Sequence, residues 1–452
     1  MNATELRSTA ALALVYGTRM LGLFMLLPVF VLLGQDLVGA TPLLLGLALG
    51  AYGLSQALLQ IPFGLLSDRI GRKPLIYAGL LIFAVGSLVA ASSDSIYGVI
   101  AGRVLQGAGA IASVLMALVS DLTREEHRTK AMAGIGLSIG LSFALSLVLG
   151  PLIGNWLGLS GLFALTALLA LASMLLVALV VPNPVRSTMQ PDAQPVREQL
   201  GRVLRMPRLL RLDFGIFVLH LALTAAFMVV PVLLQDRLGV PAAEHWWIYL
   251  SVMGAAFFAM LPFIIIGEKK RQLKVVMTGA VALLGVATTA LVWSAQTLLS
   301  LWFVLFFFFM AFNMLEAMLP SLISKEAPAA SKGSAMGVYS TSQFLGAFVG
   351  GTAGGYVAGT AGIEGVIVLI VGAVSLWLAV VASMAPPRHA ASFTLRLNPM
   401  DRDGVIAARD MLAAVAGVEE VVILAKEQEA YLKVDKQILD EVALRQLPCV
   451  TD

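Results

Sequence analysis

The chain carries a single cysteine, Cys449, among its 452 residues. That excludes an intrachain disulfide framework and a thiolate metal cluster, so no metal site is expected and packing must hold the fold together. Charge is also scarce. Asp, Glu, Lys and Arg make up 13% of the chain, about half of the roughly 25% found in soluble domains. So few charges cannot clothe a water-facing surface of this size, which rules out an ordinary soluble globule. The sequence also lacks a phosphate-cradling Gly-rich loop with its Lys, and any credible catalytic triad. No enzyme activity, cofactor or nucleic-acid partner is therefore expected.

What is present is apolar. Hydrophobic residues account for 59% and the mean hydropathy is +0.90, and the apolar segments run about 20 residues or more without the period-two alternation of barrel strands. Helices satisfy their own backbone groups and can cross lipid, so the fold class is an all-α polytopic membrane protein. Twelve spans are predicted, at about 9–34, 43–66, 75–92, 97–120, 131–157, 159–182, 213–236, 245–267, 275–294, 297–322, 333–358 and 362–385. The pairs 5/6 and 9/10 are the least cleanly separated. The first span is longer than a signal-peptide core and is interrupted by Arg19. The expected organisation is a six-helix bundle over 1–182, a connector over 183–212 and a second bundle over 213–385.

Basic residues near span ends are retained in the cytoplasm. Here they gather in one alternate set of loops, including Arg69, Arg72 and Lys73, Arg124 to Lys130, Lys269 to Lys274, and Lys325, while the opposite set offers only Arg237. Both termini are thus expected in the cytoplasm of a bacterial inner membrane. The halves also repeat at an offset of about 200 residues. Met25 to Val29 recurs as Met228 to Val232, Pro62-Phe63 and Asp68 as Pro262-Phe263 and Glu268, and Gly150/Gly154 as Gly350/Gly354. Two parallel repeats imply an axis along the membrane normal with a solute site between the halves.

The turn after the second span reads Gly64-Leu-Leu-Ser-Asp68-Arg69-Ile-Gly71-Arg72-Lys73-Pro74. Glycines let backbones approach and turn, and the acid can face the positive N-terminus of a neighbouring helix. Asp121, at the end of span 4, is a further candidate for this charge cluster. Arg103, Gln106 and Gly107 in span 4, and Gly150-Pro151 with Gly154 in span 5, complete a set that resembles the motifs of the major facilitator superfamily, drug:proton antiporter branch. The resemblance implies twelve helices in two repeats, alternating access, and a conformational latch at Asp68. Gly150-Pro151 is expected to bend span 5 against its neighbour from the other half.

A charge in mid-span costs about 2.5 to 3.5 kcal/mol, so those retained there are candidates for function. Arg19 and Arg103 are permanently charged and suited to an anionic group or an acid partner. Glu316 and His220 can change protonation, and Glu316, the one carboxylate placed deep in a span, is the preferred proton carrier. Gln56, Gln60, Asn313 and Gln343 offer hydrogen bonds to a cavity or between helices.

After Pro386-Pro387, spanning a linker at 386–391, the composition turns polar. Residues 392–452 read as βαββα, with a possible last short strand: Phe393, Leu395 and Leu397 alternate as a strand, Val405, Ala408, Leu412 and Val415 share a helical face, and Leu439, Val442 and Ala443 mark a second helix. This is similar to a ferredoxin-like domain of the heavy-metal-associated type, without its Cys-x-x-Cys. Its acidic runs, Glu419-Glu420 and Glu427 to Glu429, are expected to lean on the basic loops. The expected function is proton-coupled export of small hydrophobic or amphipathic solutes. The alternatives are an importer of the same fold, or a non-transporting sensor signalling through the C-terminal domain. The partners expected are a small-molecule substrate, protons and the lipid bilayer, for a monomer.

Overall fold

In a computed structural model of the chain, residues 1–183, 196–294, 296–328, 331–386, 391–424, 428–435 and 438–451 are described. The connector and the 386–391 linker thus fall partly outside these residues. Among the described residues nine helices are long and apolar enough to cross a membrane. The first segment, α1 (Ala3–Phe24), adds to them. Those that follow are α2 (Pro42–Ile70), α3 (Arg72–Ala91) and α4 (Ile96–Ala108, resumed at Ala112–Asp121). Next come α5 and α6, two helices within Glu125–Val180 that part at Gly158. The second half holds α7 (Pro207–Ala226), α8 (His245–Lys269), α9 (Leu273–Ser294) and α10 (Leu298–Glu326). It ends with α11 and α12, two helices within Lys332–Ala382 that part at Gly362. Twelve passes result.

Local chemistry sets the ends. Asn2 and Glu5 form a reciprocal capping box at the start of α1, and Thr41 caps α2 with Pro42 in its first turn. Gly71 (φ 99°) separates α2 from α3 in a conformation that costs a side chain energy. The sequence repeat is also a backbone repeat. α1 and α7 both lose regular helix just beyond their ends, before Phe30 and Val230 respectively. The pairs α5/α6 and α11/α12 part at equivalent glycines, Gly158 (φ 64°, ψ −170°) and Gly362 (φ 68°, ψ −163°). Spans 9 and 10 are instead distinct, with Thr297 capping α10.

The halves meet along α2 and α11, which run antiparallel. A Cβ on Gly46 would stand 2.1 Å from the Gly351 carbonyl oxygen, one on Gly50 2.7 Å from that of Phe348, and one on Gly53 2.5 Å from that of Phe344. Such close approach is the use of small residues between membrane helices. At 3.6 residues per turn, residues 18 apart share one helix face. Gly333 and Gly337 therefore lie on the face of α11 that carries Gly351 and Gly355, yet a Cβ on either would meet nothing within 4 Å. One face of α11 is closed on α2 at one end and open at the other, the end with the basic loops.

The C-terminal segment forms strands β1 (Ala391–Arg396), β2 (Val418–Leu424) and β3 (Glu429–Val434) with helices α13 (Arg402–Ala413) and α14 (Glu441–Arg445). The sheet is antiparallel in the order β1-β3-β2, and a bridge between Leu397 and Val450 stands where a last strand was expected. This matches a small ferredoxin-like α+β layer. Leu395, Leu397, Ala408, Leu412, Leu432 and Leu444 fill its core. The second helix is only five residues long; it holds Val442 and Ala443 as expected, with Leu444 turned inward and Val442 66% exposed. Contact with the membrane helices is carried by Lys433 and Asp435. Lys433 donates to the carbonyls of Lys325 (2.7 Å) and Ala327 at the end of α10, and Asp435 pairs with Arg271 in the turn after α8. The expected acidic contact is not what the described residues form. Glu420 faces Lys433 of its own domain (3.9 Å) and Glu429 accepts from Tyr431 (2.8 Å), while Glu427 lies outside the described residues.

Candidate functional site

At the level where the α2–α11 contact ends, α7, α10 and α11 bring three polar side chains together. Gln343 Nε2 lies 2.9 Å from His220 Nε2 and 3.3 Å from Glu316 Oε1, and His220 is 3.9 Å from Glu316 Oε2. Hydrogen bonds inside a low-dielectric bundle fix these groups in place. The cluster keeps spare capacity. Glu316 Oε2 and Asn313 Nδ2 are buried without a partner among the described residues, while about a third of the Glu316 side chain (34%) is exposed. A carboxylate that is neither fully paired nor sealed can exchange a proton.

Across the boundary stands a permanent cation. Arg19 of α1 is 3% exposed and donates Nη2 to Tyr52 Oη (3.1 Å) and to Gln56 Oε1 (2.7 Å) on α2, and Gln56 in turn donates to Gln60 (3.1 Å). Its Nε and Nη1 have no partner among the described residues. Aromatic rings separate the two groups. Phe143 of α5 meets Phe312 of α10 at 5.6 Å, and Tyr52 meets Phe344 of α11 at 6.1 Å. The first half thus presents unpaired positive charge and the second a titratable cluster.

Arg103 belongs elsewhere. Its guanidinium bonds the carbonyls of Ala48 (3.2 Å) and Leu49 (3.3 Å) and Gln106 Oε1 (2.9 Å), and Gln106 reaches Ser87 (2.7 Å). Gly107 lets α4 sit against α2, since a Cβ would come within 2.2 Å of the Tyr52 carbonyl oxygen. This motif ties α4 to α2 and leaves Arg103 no donor directed at a solute. α5 does neighbour the other half, but Gly150 and Gly154 do not face it. Gly150 packs on the Met25 carbonyl of α1 and Gly154 on Leu33 and Val29, all in the same half, because α5 lies alongside α1. Pro151 continues within the helix.

At the basic-loop end, Arg72 pairs with Asp68 and with Asp121 (Nε to Oδ2, 3.0 Å) and donates to Ser67 (2.5 Å). Lys73 donates to the Val181 carbonyl (2.7 Å) at the end of α6. Asp121 joins the cluster, and Arg69 and Gly64 flank it. The second half repeats the device with different partners, Glu268 accepting from Lys325 at 2.6 Å. Nearby, Arg124 bonds Glu5 through its side chain (2.9 Å) and its backbone N–H (3.0 Å). These bonds, the side-chain one first, hold the Glu5 carboxyl down at about 2.

One site residue escaped the sequence reading. Asp213 is 4% exposed and neither carboxylate oxygen has a partner among the described residues. Span 7 begins at Pro207 rather than near 213, so Asp213 lies in its second turn, inside the bundle. Met206-Pro207, with proline in the first helical turn, was the available signal. Glu316 is therefore not the one buried carboxylate of the spans.

Residues 12–351 match the model of the Major Facilitator Superfamily. The chain is 47% identical to the inner membrane transport protein YajR of Escherichia coli (strain K12), over 99% of this chain and 98% of that one. It is 28% identical to the multidrug resistance protein MdtH of Aeromonas salmonicida (strain A449), over 76% of this chain and 86% of that one. A solved structure of a bacterial homologue of the human lysosomal transporter Spinster, inward-facing and occupied, has the same fold, with a TM-score of 0.68 at 13% identity over 84% of this chain and 96% of that one. The twelve passes, the paired repeats and these likenesses agree: the chain belongs to the major facilitator superfamily and is a multi-pass membrane transporter, not an enzyme.

Proposed function

We propose that the chain is a proton-coupled exporter of small amphipathic solutes in the bacterial inner membrane, working by alternating access with both termini in the cytoplasm. The observation that carries the proton coupling is the Glu316–Gln343–His220 cluster at the junction of the halves, a carboxyl with an unpaired oxygen beside a titratable ring. Arg19 keeps two nitrogens, Nε and Nη1, for a polar or anionic part of the solute, and Phe143, Phe312 and Phe344 supply its apolar wall. With basic loops held in the cytoplasm, the open end of the α11 face makes this the state accessible from the cytoplasm.

The other state closes the basic-loop end. Continuing the α2–α11 register by five turns sets Gly64 opposite Gly333, and Asp68 one turn further, at the N-terminus of α11. A helix N-terminus carries about half a positive charge. Asp68 would then exchange Arg72 for the helix end, latching the outward-facing state. The coupling is tested with Glu316→Gln in proteoliposomes, scored with the solutes that wild type moves. Transport driven by a pH gradient is expected to be lost while solute exchange persists. An unchanged pH dependence would move the proton to another group.

A further inference from the structure

Asp213 has no role in the reading above, yet an unpaired carboxylate inside a membrane bundle is retained only where something compensates its cost. It shares a face of α7 with His220, seven residues and about 10 Å nearer the basic-loop end. Close contacts of α7 with α11, Phe217 with Gly346 and Leu221 with Gly350, place Asp213 level with Ser342 and Gln343. One turn below Gln343 on the same face of α11 is Tyr339, 4% exposed, whose hydroxyl also lacks a partner among the described residues. Three consecutive polar groups, each with unsatisfied atoms, thus descend from the junction toward the basic loops. Buried polar atoms left open in this way mark a place for water or an ion.

We propose that Asp213 is a second proton-carrying carboxylate, the station through which the proton on Glu316 passes to the basic-loop side. The step conserves protons. The Glu316 carboxyl gives its proton through water to the Asp213 carboxylate, and the Tyr339 hydroxyl, one turn nearer the basic loops, holds that water. Glu316 ends ionised, and Asp213 then releases the proton to the aqueous face. The charged groups around Asp213 leave it available. Arg208 on the same helix is engaged with Glu326 of α10 (3.3 Å) and Arg211 with the Ser383 carbonyl (3.4 Å). On the packed helices the titratable neighbours are Glu316 of α10, and Tyr339 with Lys332, in the first turn, of α11.

The proposal rests on the proton-coupled reading, so its test separates the two and needs no known solute. Infrared difference spectra of the purified full-length protein, titrated with acid, report the C=O stretch of each buried carboxyl as it protonates. Wild type should show two such bands, Asp213→Asn should lack one, and Glu316→Gln should lack the other. In vesicles that transport, Asp213→Asn should slow pH-driven turnover at least tenfold with little change in solute affinity, and Asp213→Glu should restore most of it. A spectrum of Asp213→Asn identical to wild type, or pH-driven turnover unchanged in that variant, overturns the relay. If Glu316→Gln alone leaves the spectrum and the pH profile unchanged, the reading of Glu316 fails while Asp213 stands. Should Asp213→Asn not accumulate, Tyr339→Phe gives the same kinetic readout, because it removes only the hydroxyl that holds the water.

Discussion

Substituting Gly46 by Ala should push the transporter out of the state described here. A Cβ at this position would lie 2.1 Å from the Gly351 carbonyl oxygen and 2.9 Å from the Gly355 Cα, both backbone atoms that cannot swing aside. Restoring ordinary contact requires α2 and α11 to separate by about 1 Å, and overpacking of this kind costs roughly 1 to 3 kcal/mol. The penalty falls on the state in which this face is closed. About 2 kcal/mol shifts the balance of two states by roughly 30-fold. Gly337→Ala supplies the mirror experiment: it meets nothing within 4 Å here, but shares the face that must close at the basic-loop end in the alternate state. The assay is alkylation of a cysteine at Phe348, which faces Gly50, in a Cys449→Ser background, with impermeant maleimide added from either side. Gly46→Ala should raise labelling from the side opposite the basic loops and Gly337→Ala should lower it. Wild-type labelling from both sides in a well-accumulated Gly46→Ala protein would refute the assignment of this interface.

Asp68→Asn should reduce transport severalfold at normal abundance, and the same cysteine probe should show a bias toward the present state; equal accessibility in mutant and wild type would remove the latch. The Glu5 carboxyl, held down at about 2 by Arg124 from an ordinary 4.5, contributes stability in full above pH 4.5 and loses it as pH falls from there toward 2. Thermal unfolding of Glu5→Gln should therefore lack the part of the acid decline confined to that window. Asp435→Asn removes the charge that pairs with Arg271 and should raise the rate of proteolytic cleavage between the soluble domain and α12 severalfold; an unchanged cleavage rate would show that this pair does not hold the domain.

The spans were legible because lipid demands long apolar helices, and the repeat survived in sequence because both halves solve one packing problem. The joins at Gly158 and Gly362 change direction in a single residue, and the predicted breaks at 158 and 359–361 fall on or beside them although hydropathy dips little there. Asp213 was misplaced by the boundary alone, since the charged turn Arg208 to Arg211 resembles a loop until Pro207 is recognised as a helix start. Arg103 and Arg19 look equivalent on paper. Only the fold separates a guanidinium whose three nitrogens each bond a helix carbonyl or Gln106 from one with two nitrogens left without a partner among the described residues. Gly150 likewise reads as a contact surface without naming its partner, which is the end of α1, while other residues of α5 such as Phe143 meet the other half.

The seat of the C-terminal domain has a mechanical consequence. Continuous with the end of α12 in sequence and held at Arg271 by Asp435, 164 residues away, it closes the second half into a non-covalent ring that encloses α9 to α12. Residues 271 and 71 occupy equivalent turns, but where the first half has Gly71 the second has Arg271 in the left-handed region (φ 56°), a conformation that an arginine adopts at a cost. The clasp thus sits on a turn that carries a backbone cost, and the described residues of the first half show no counterpart. Force or heat should separate the halves asymmetrically, the first fraying as single helices and the second releasing only after its clasp opens.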